Sequence, residues 1–280
     1  MSLRPGAQTP AVVTAVSRDQ TQSRSDVLAT EEPLEIRLQA GVTRRTVAVT
    51  MRTPGSDFEL TAGFLYGEGV IKGHADVVSI RYCTDPDVDT EQQYNVVTVD
   101  LAGASLPELG SLERHFYTTS ACGVCGKASL DAIASLGGPA LSEGPLLSRD
   151  VVLSLPHRLR EAQRLFSKTG GLHAAALFEP SGELVEVRED VGRHNAMDKL
   201  VGWGLLSDRL PFTDRVVLVS GRASFELLQK ALRAGGSFFC AVSAPSSLAV
   251  DVATRFGMTL VGFLREDSFN VYAGEERVTT

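Results

Sequence analysis

The hydrophobic positions change their period along the chain, and the changes divide it into four stretches. Residues 1–30 are rich in Ser, Thr, Gln and Arg and show no period, which predicts a disordered tail. In residues 31–115, Leu34, Ile36 and Leu38 alternate, Gly41 turns the chain, and Val47, Val49 and Met51 alternate again, the pattern of a β-hairpin. Pro54-Gly55-Ser56-Asp57 then caps a helix carrying Phe58, Leu60, Phe64 and Leu65. Strands over 77–83 and 94–101, separated by the acidic loop 85–89, complete an N-terminal α+β subdomain. Residues 116–150 hold a loop with two cysteines and a following helix, in which Leu130, Ile133 and Leu136 keep helical spacing until Gly137-Gly138.

From residue 151 to 280 helices and strands alternate. Leu155, Leu159, Ala162 and Phe166 mark one helix face that Gly170-Gly171 ends, and residues 173–178 and 183–187 form a hairpin around Pro180-Ser181-Gly182. Helices carrying Met197, Leu200, Val201 and Leu205, then Phe225, Leu228 and Leu232, then Leu248, Val252 and Phe256 separate strands at 216–220, 238–242 and 259–264, the last of the clear strands. Such alternation predicts a three-layer α/β sheet with helices on both faces.

Composition narrows the class. Hydrophobic residues make up 43% and charged residues 22% of 280, as in an ordinary globular protein. The balance of 27 basic against 34 acidic residues gives −7, which argues against a nucleic-acid-coating surface. No run reaches the ~18 continuous apolar residues a membrane span needs. Ala11-Val12-Val13 and Ala15-Val16 are too short for a signal-peptide core. With four cysteines and one close pair there is no disulfide framework, so the expected setting is a reducing cytoplasm.

The close pair carries the most chemistry. In Ala121-Cys122-Gly123-Val124-Cys125-Gly126-Lys127 two thiols sit in a glycine-flanked loop just before a helix start. The helix's unpaired N–H groups and Lys127 both favour the thiolate. Zinc binding, disulfide exchange and persulfide sulfur carriage all use this spacing. Zinc needs further ligands, and Cys83 and Cys240 stand alone without a His at finger spacing. A zinc deaminase needs a ligand two residues before a catalytic Glu. His173-Ala174-Ala175 and His194-Asn195-Ala196 do not provide it, so no zinc is expected.

Three strand-to-helix turns in the second half suit an anion. Asp190-Val191-Gly192-Arg193-His194-Asn195-Ala196-Met197-Asp198-Lys199 packs charged and imidazole groups at a helix start, and capping with surface ion pairs is the plain alternative. Ser220-Gly221-Arg222-Ala223-Ser224 and Ala244-Pro245-Ser246-Ser247 repeat the arrangement. Turns of this kind at strand ends form the crevice in which α/β sheets bind ligands, here suggesting a large phosphorylated one.

With these residues in view, the chain resembles the FdhD/NarQ family of formate dehydrogenase accessory proteins. The resemblance runs from about Leu34 to Tyr272. It rests on Cys122-Gly123-Val124-Cys125-Gly126, the Asp190–Lys199 and Ser220–Glu226 blocks, Ala244–Val250, and Gly262-Phe263-Leu264-Arg265 with Asn270-Val271-Tyr272. Glu266-Asp267 departs from the family's less acidic turn at that point.

The resemblance implies a sulfur carrier, a sulfurtransferase-type protein that takes sulfur from a cysteine desulfurase as a cysteine persulfide. It passes the sulfur to the bis(molybdopterin guanine dinucleotide) molybdenum cofactor before insertion into formate dehydrogenase. It further implies a cytidine-deaminase-like fold and a homodimer. Cys122 is the expected persulfide carrier, with Cys125 assisting. The expected cofactor contacts are Phe263, Leu264, Arg265, Glu266, Asp267, Ser268, Arg193, His194, Ser220, Gly221, Arg222 and Ser246.

Overall fold

In the computed structural model, residues 6–83, 89, 92–107, 141 and 144–279 are described. Order begins earlier than the sequence suggests. Residues expected to be a disordered tail form a ribbon of two antiparallel strands, β1 (Gln8–Val16) and β2 (Thr21–Ala29). The Ser17 N–H donates to the Gln20 carbonyl across the turn at 2.8 Å. Val12, Val13, Thr14 and Val16 are β-branched residues that favour extended backbone, and a ribbon without a core of its own needs no apolar face to betray it.

The hairpin of β3 (Glu32–Ala40) and β4 (Thr43–Arg52) turns at Gly41, where φ is +57°. It buries Leu34, Ile36 and Leu38 on one face. Helix α1 (Asp57–Gly67) follows, and β5 (Val77–Tyr82) and β6 (Val96–Leu101) complete a four-stranded sheet of order β4-β3-β6-β5. A fully buried Arg52 fixes this corner. Its Nε donates to Asp57 Oδ1 at 3.1 Å, and its Nη2 donates to the Tyr94 carbonyl and to Asn95 Oδ1, each at 3.1 Å.

After the short strand β7 (Leu147–Ser148), α2 (Arg149–Ala162) opens with the Ser148 hydroxyl accepting from the Val151 N–H. The single helix expected to run on to Gly170 is in fact two. The second, α3 (Phe166–Thr169), is separate because the Glu189 carboxylate accepts from the N–H groups of Leu165 and Phe166 at 2.9 and 2.8 Å.

The larger sheet is built from β8 (His173–Phe178), β9 (Leu184–Asp190), β10 (Val216–Val219), β11 (Phe238–Ala241), β12 (Thr259–Gly262) and β13 (Asn270–Ala273), in the order β13-β12-β11-β10-β8-β9. Strands β10, β11 and β12 run parallel, whereas β8 and β13 run against them. Strands β13 and β14 (Val278–Thr279) lie beyond the point where the sequence pattern ends, and β14 pairs with β7 rather than joining this sheet.

Alternation along the strands feeds two cores. On one face Ala174, Ala176, Phe178, Val216, Leu218 and Phe238 pack against Val152, Leu155 and Leu159 of α2. On the other, Ala175, Leu177, Val217, Val219, Phe239 and Ala241 meet the helices α4 (Arg193–Leu206), α5 (Phe225–Arg233) and α6 (Ser247–Phe256). This second core continues through α1 to Leu34, Ile36 and Leu38, so one hydrophobic cluster joins the two large sheets. Between the helices Asp198 and Lys230 pair at 2.7 Å, both nearly fully buried. Burial pushes the Asp198 carboxyl up to about 6, and the Lys230 ammonium opposes the rise. No described helix is long and apolar enough to cross a membrane.

Candidate functional site

The site lies where the large sheet changes direction. Because β8 runs against β10, the first residues of β8 stand beside the last of β10. The Ser220 N–H donates to the Ala174 carbonyl at 3.0 Å, and the Ala174 N–H donates to Ser220 Oγ at 2.9 Å. The start of β8 thus joins the carboxyl ends of β10, β11 and β12 at one end of the sheet, the end at which α/β proteins commonly bind ligands.

Gly221 lies against both His173 and Arg193: a Cβ placed on it would stand in ordinary van der Waals contact, 3.4 Å from His173 Nδ1 and 3.9 Å from Arg193 Cδ. Arg193 is the first residue of α4, where unpaired backbone N–H groups already favour negative charge. Its Nε is buried without a hydrogen-bond partner among the described residues. His173 is half-buried, and burial, followed by the charges of Arg193 and His194, pulls its imidazole below its ordinary value, although Asp190 pulls the other way.

His194 Nε2 lies 3.4 Å from Ser224 Oγ and 3.8 Å from Glu226 Oε2. The Glu226 carboxyl is held well below the usual carboxylate range, mainly by His194. Partial burial opposes this, and the backbone at the start of α5 and the Ser224 hydroxyl reinforce it. Arg222 is exposed, one residue after Gly221. A buried donor left unpaired costs about 1–3 kcal/mol, which an anionic ligand between Arg193 and the turn would recover. A phosphoryl group fits that donor set.

The three turns after β10, β11 and β12 are laced to one another. The N–H groups of Ser243, Ala223, Ser246 and Phe263 donate to the carbonyls of Gly221, Ala244, Ala223 and Ser243 at 3.2, 3.2, 2.9 and 3.1 Å. These donors serve the protein itself. Ser246 Oγ accepts from the Ala249 N–H at 3.2 Å as the cap of α6. Phe263 adopts a left-handed φ of +50° and is 43% exposed, whereas Leu264 is fully buried. The Arg265 N–H donates to the Ser268 carbonyl at 2.8 Å, and its guanidinium reaches the carbonyls of Val242 and Leu264. Glu266 and Asp267 are exposed, and Ser268 Oγ donates to Asp267 Oδ1 at 3.0 Å.

The motif from Asp190 to Lys199 divides in two. Arg193 and His194 are partly exposed, with Arg193 beside Gly221, but Asp190, Asn195 and Lys199 are buried and tie α4 to the end of β4. Lys199 Nζ lies 2.6 Å from Asp190 Oδ2 and donates to the Thr53 carbonyl at 2.8 Å. Asp190 accepts from the N–H groups of Thr53 and Gly192, and Asn195 Nδ2 donates to the Met51 carbonyl at 2.7 Å. His173, absent from the expected contacts, comes beside Gly221 and Arg193 through the β8–β10 pairing. A strand register is not visible in the local pattern.

Cys122 and Cys125, with the helix expected after them, lie outside the described residues. Cys83 and Cys240 are buried free thiols, and burial pushes the Cys240 thiol up. Among the described residues no group of three His, Cys, Asp or Glu side chains converges as metal ligands would.

The fold is that of a mixed α/β protein, with Arg193, His194 and His173 gathered where β8 begins and β10 ends. Comparison with known proteins gives its lineage: the FdhD/NarQ family model matches residues 29–279, and the chain belongs to that family. It is 57% identical over 259 residues to the sulfur carrier protein FdhD of Streptomyces avermitilis, covering 91% of this chain and 90% of that one. It is 44% identical to the protein of that name from Sulfolobus acidocaldarius, over 91% of this chain and 92% of the other. A crystal structure of a formate dehydrogenase accessory protein from Desulfotalea psychrophila superposes with a TM-score of 0.74 at 25% identity, covering 97% of this chain and 99% of that one.

Proposed function

We propose that this protein is a sulfur carrier that serves formate dehydrogenase maturation in the cytoplasm, working as a homodimer. The Cys122 thiolate attacks the terminal sulfur of a cysteine desulfurase persulfide. The new S–S bond forms on Cys122 as the desulfurase cysteine leaves as a thiolate, so no external oxidant or reductant is needed. Cys125 assists as a second thiol: its attack on Cys122 Sγ forms a Cys122–Cys125 disulfide, supplies the two electrons and releases the outer sulfur as hydrosulfide to the bis(molybdopterin guanine dinucleotide) cofactor, which is cargo here.

The observation that carries the reading is the buried, unpaired Arg193 Nε beside Gly221 and His173, in a chain of this family. It supports a site for the cofactor's phosphates, with Arg193, His194, Gly221 and Arg222 as contacts and Phe263 to Ser268 along the adjoining turn. The large sheet, with helices on both faces and β8 antiparallel to its parallel strands, supports a cytidine-deaminase-like arrangement.

Mass spectrometry after incubation with a desulfurase and cysteine tests the chemistry. The Cys122-containing peptide should gain one sulfur atom, and Cys122→Ala should gain none and lose all support of formate dehydrogenase. Cys83→Ala and Cys240→Ala should retain both, since these thiols fill core positions. Full activity of Cys122→Ala would sink the reading.

A further inference from the structure

We propose that Thr53 is a positioning residue for Arg193: its hydroxyl fixes the short link between β9 and α4 and so holds the guanidinium where a phosphate binds. This role rests on the reading of Arg193 as a contact of the cofactor's phosphates. Thr53 follows directly on β4, in the N-terminal half of the chain, and is buried. Each of its polar groups turns to the Asp190–Lys199 block. Its N–H donates to Asp190 Oδ2 at 3.1 Å, its carbonyl accepts from Lys199 Nζ at 2.8 Å, and its Oγ1 accepts from the Val191 N–H at 3.2 Å.

The first two bonds belong to the backbone, so any residue but proline would keep them at this position. Only the third needs the hydroxyl, and the hydroxyl serves the link alone. β9 ends at Asp190 and α4 begins at Arg193, so Val191 and Gly192 are the whole connection. Thr53 accepts from the N–H of Val191, and Asp190 Oδ1 accepts from the N–H of Gly192 at 2.9 Å. Both amides of the link are pinned, and the next residue is Arg193.

Packing closes the link from its other side. Gly192 has a φ of −98°, which any residue adopts, so space rather than backbone conformation calls for glycine there. A Cβ on it would stand 3.2 Å from Asn195 Nδ2 and 3.3 Å from Asn195 Cγ. Asn195 is itself held: its Nδ2 donates to the Met51 carbonyl at 2.7 Å and to Asp190 Oδ1 at 3.0 Å, and its Oδ1 accepts from Thr50 Oγ1 at 3.2 Å. Arg193 Nε is buried without a partner among the described residues, so the group depends on its backbone for its position. A donor fixed in advance loses less freedom when an anion arrives.

Titration calorimetry with guanosine diphosphate tests this on the full chain, with circular dichroism as the check of folding. Thr53→Val removes the hydroxyl and keeps the shape. It should weaken binding about fivefold, less than Arg193→Gln does, because a residue acting through Arg193 loses no more than Arg193 supplies. Thr53→Ser keeps the hydroxyl and should bind within about twofold of the wild type. Arg193→Gln combined with Thr53→Val should bind within about twofold of Arg193→Gln alone, whereas Arg222→Ala on the Thr53→Val background should keep its full effect. A general loosening of the fold would not single out Arg193 in this way. If Thr53→Val does not fold, Gly192→Ala, which crowds Asn195 but removes no hydrogen bond, carries the same cycle with the same expectation. Wild-type affinity in the deciding variant, or a loss that multiplies in full with that of Arg193→Gln, would overturn the proposal and leave the phosphate site standing. A wild type that binds no guanosine diphosphate, or an Arg193→Gln variant that binds it as tightly as the wild type, would overturn the phosphate site and this role with it.

Discussion

Gly63 of α1 and Gly202 of α4 meet backbone to backbone where the two helices cross. A Cβ on Gly63 would overlap the Asp198 carbonyl oxygen and stand 2.7 Å from the Gly202 nitrogen, and one on Gly202 would overlap the Glu59 carbonyl oxygen and stand 2.8 Å from the Gly63 nitrogen. The crossing joins the N-terminal sheet to the helices of the large sheet, so its closeness sets how the two halves share a core. Gly63→Ala and Gly202→Ala should each cost about 3 kcal/mol, at the upper end for overpacking, because rigid helix backbone must move apart. Urea denaturation with circular dichroism measures this, and a loss below about 1 kcal/mol would show that the crossing adjusts easily.

A second prediction concerns the buried ion pair. Lys199→Met removes the partner of a fully buried Asp190 and should destabilise the fold by about 3 kcal/mol or more, since the carboxylate is left inside without its counter-charge. Substituting both residues with apolar side chains of similar volume should recover part of the loss. If the single variant unfolds at the wild-type urea midpoint, the pair is not what holds α4 to β4.

The crevice should discriminate by charge. Guanosine diphosphate should bind, and Arg222→Ala or Arg193→Gln should each weaken it by about 1.5–3 kcal/mol, the range for hydrogen bonds to charged groups. Cys122→Ala should leave that affinity nearly intact. Titration calorimetry on the proteins decides the matter, and unchanged affinity in Arg222→Ala would mean that the turn after β10 is no more than a helix start.

His173 gives a pH dependence of known sign. Burial and the neighbouring Arg193 and His194 charges depress its folded pKa below 6.5, so the folded state favours the neutral ring. The associated stability is fully present above 6.5 and is lost as the pH falls through the lower folded value. His173→Gln should therefore show a shallower loss of stability over that acidic window, read as the shift in urea midpoint with pH. Bound phosphate should raise the imidazole pKa, and NMR titration of the ring protons would register it.

Much of the second half was legible because its strands are short apolar runs closed by glycine or serine turns. The run from 216 to 264 declares three strands and two helices, and the structure places each within a few residues. The hairpin around Gly41 and the helix after Asp57 were equally plain, since Leu34, Ile36 and Leu38 alternate with polar residues and all enter one core. The ribbon at residues 8–29 escaped because it buries no face of its own, and a pattern of burial cannot report a strand that has none. The strands after residue 264 escaped for a related reason: β13 is a partly buried edge and β14 only two residues long.

By itself the sequence determined the order of the strands and helices from residue 173 to 264, the thiol pair and the glycine turns, because each is a local property of spacing and residue type. Tertiary structure alone decided which members of the Asp190–Lys199 block stay partly exposed beside Gly221 and which are buried as a tie. Asp190, Asn195 and Lys199 turn inward because Met51 and Thr53, more than a hundred residues earlier, supply their backbone partners. Arg193 and His173 converge because β8 runs against β10 and brings a strand's beginning to another's end. Local spacing records which face a residue occupies, but the identity of a distant neighbour is set only when the strands choose their register.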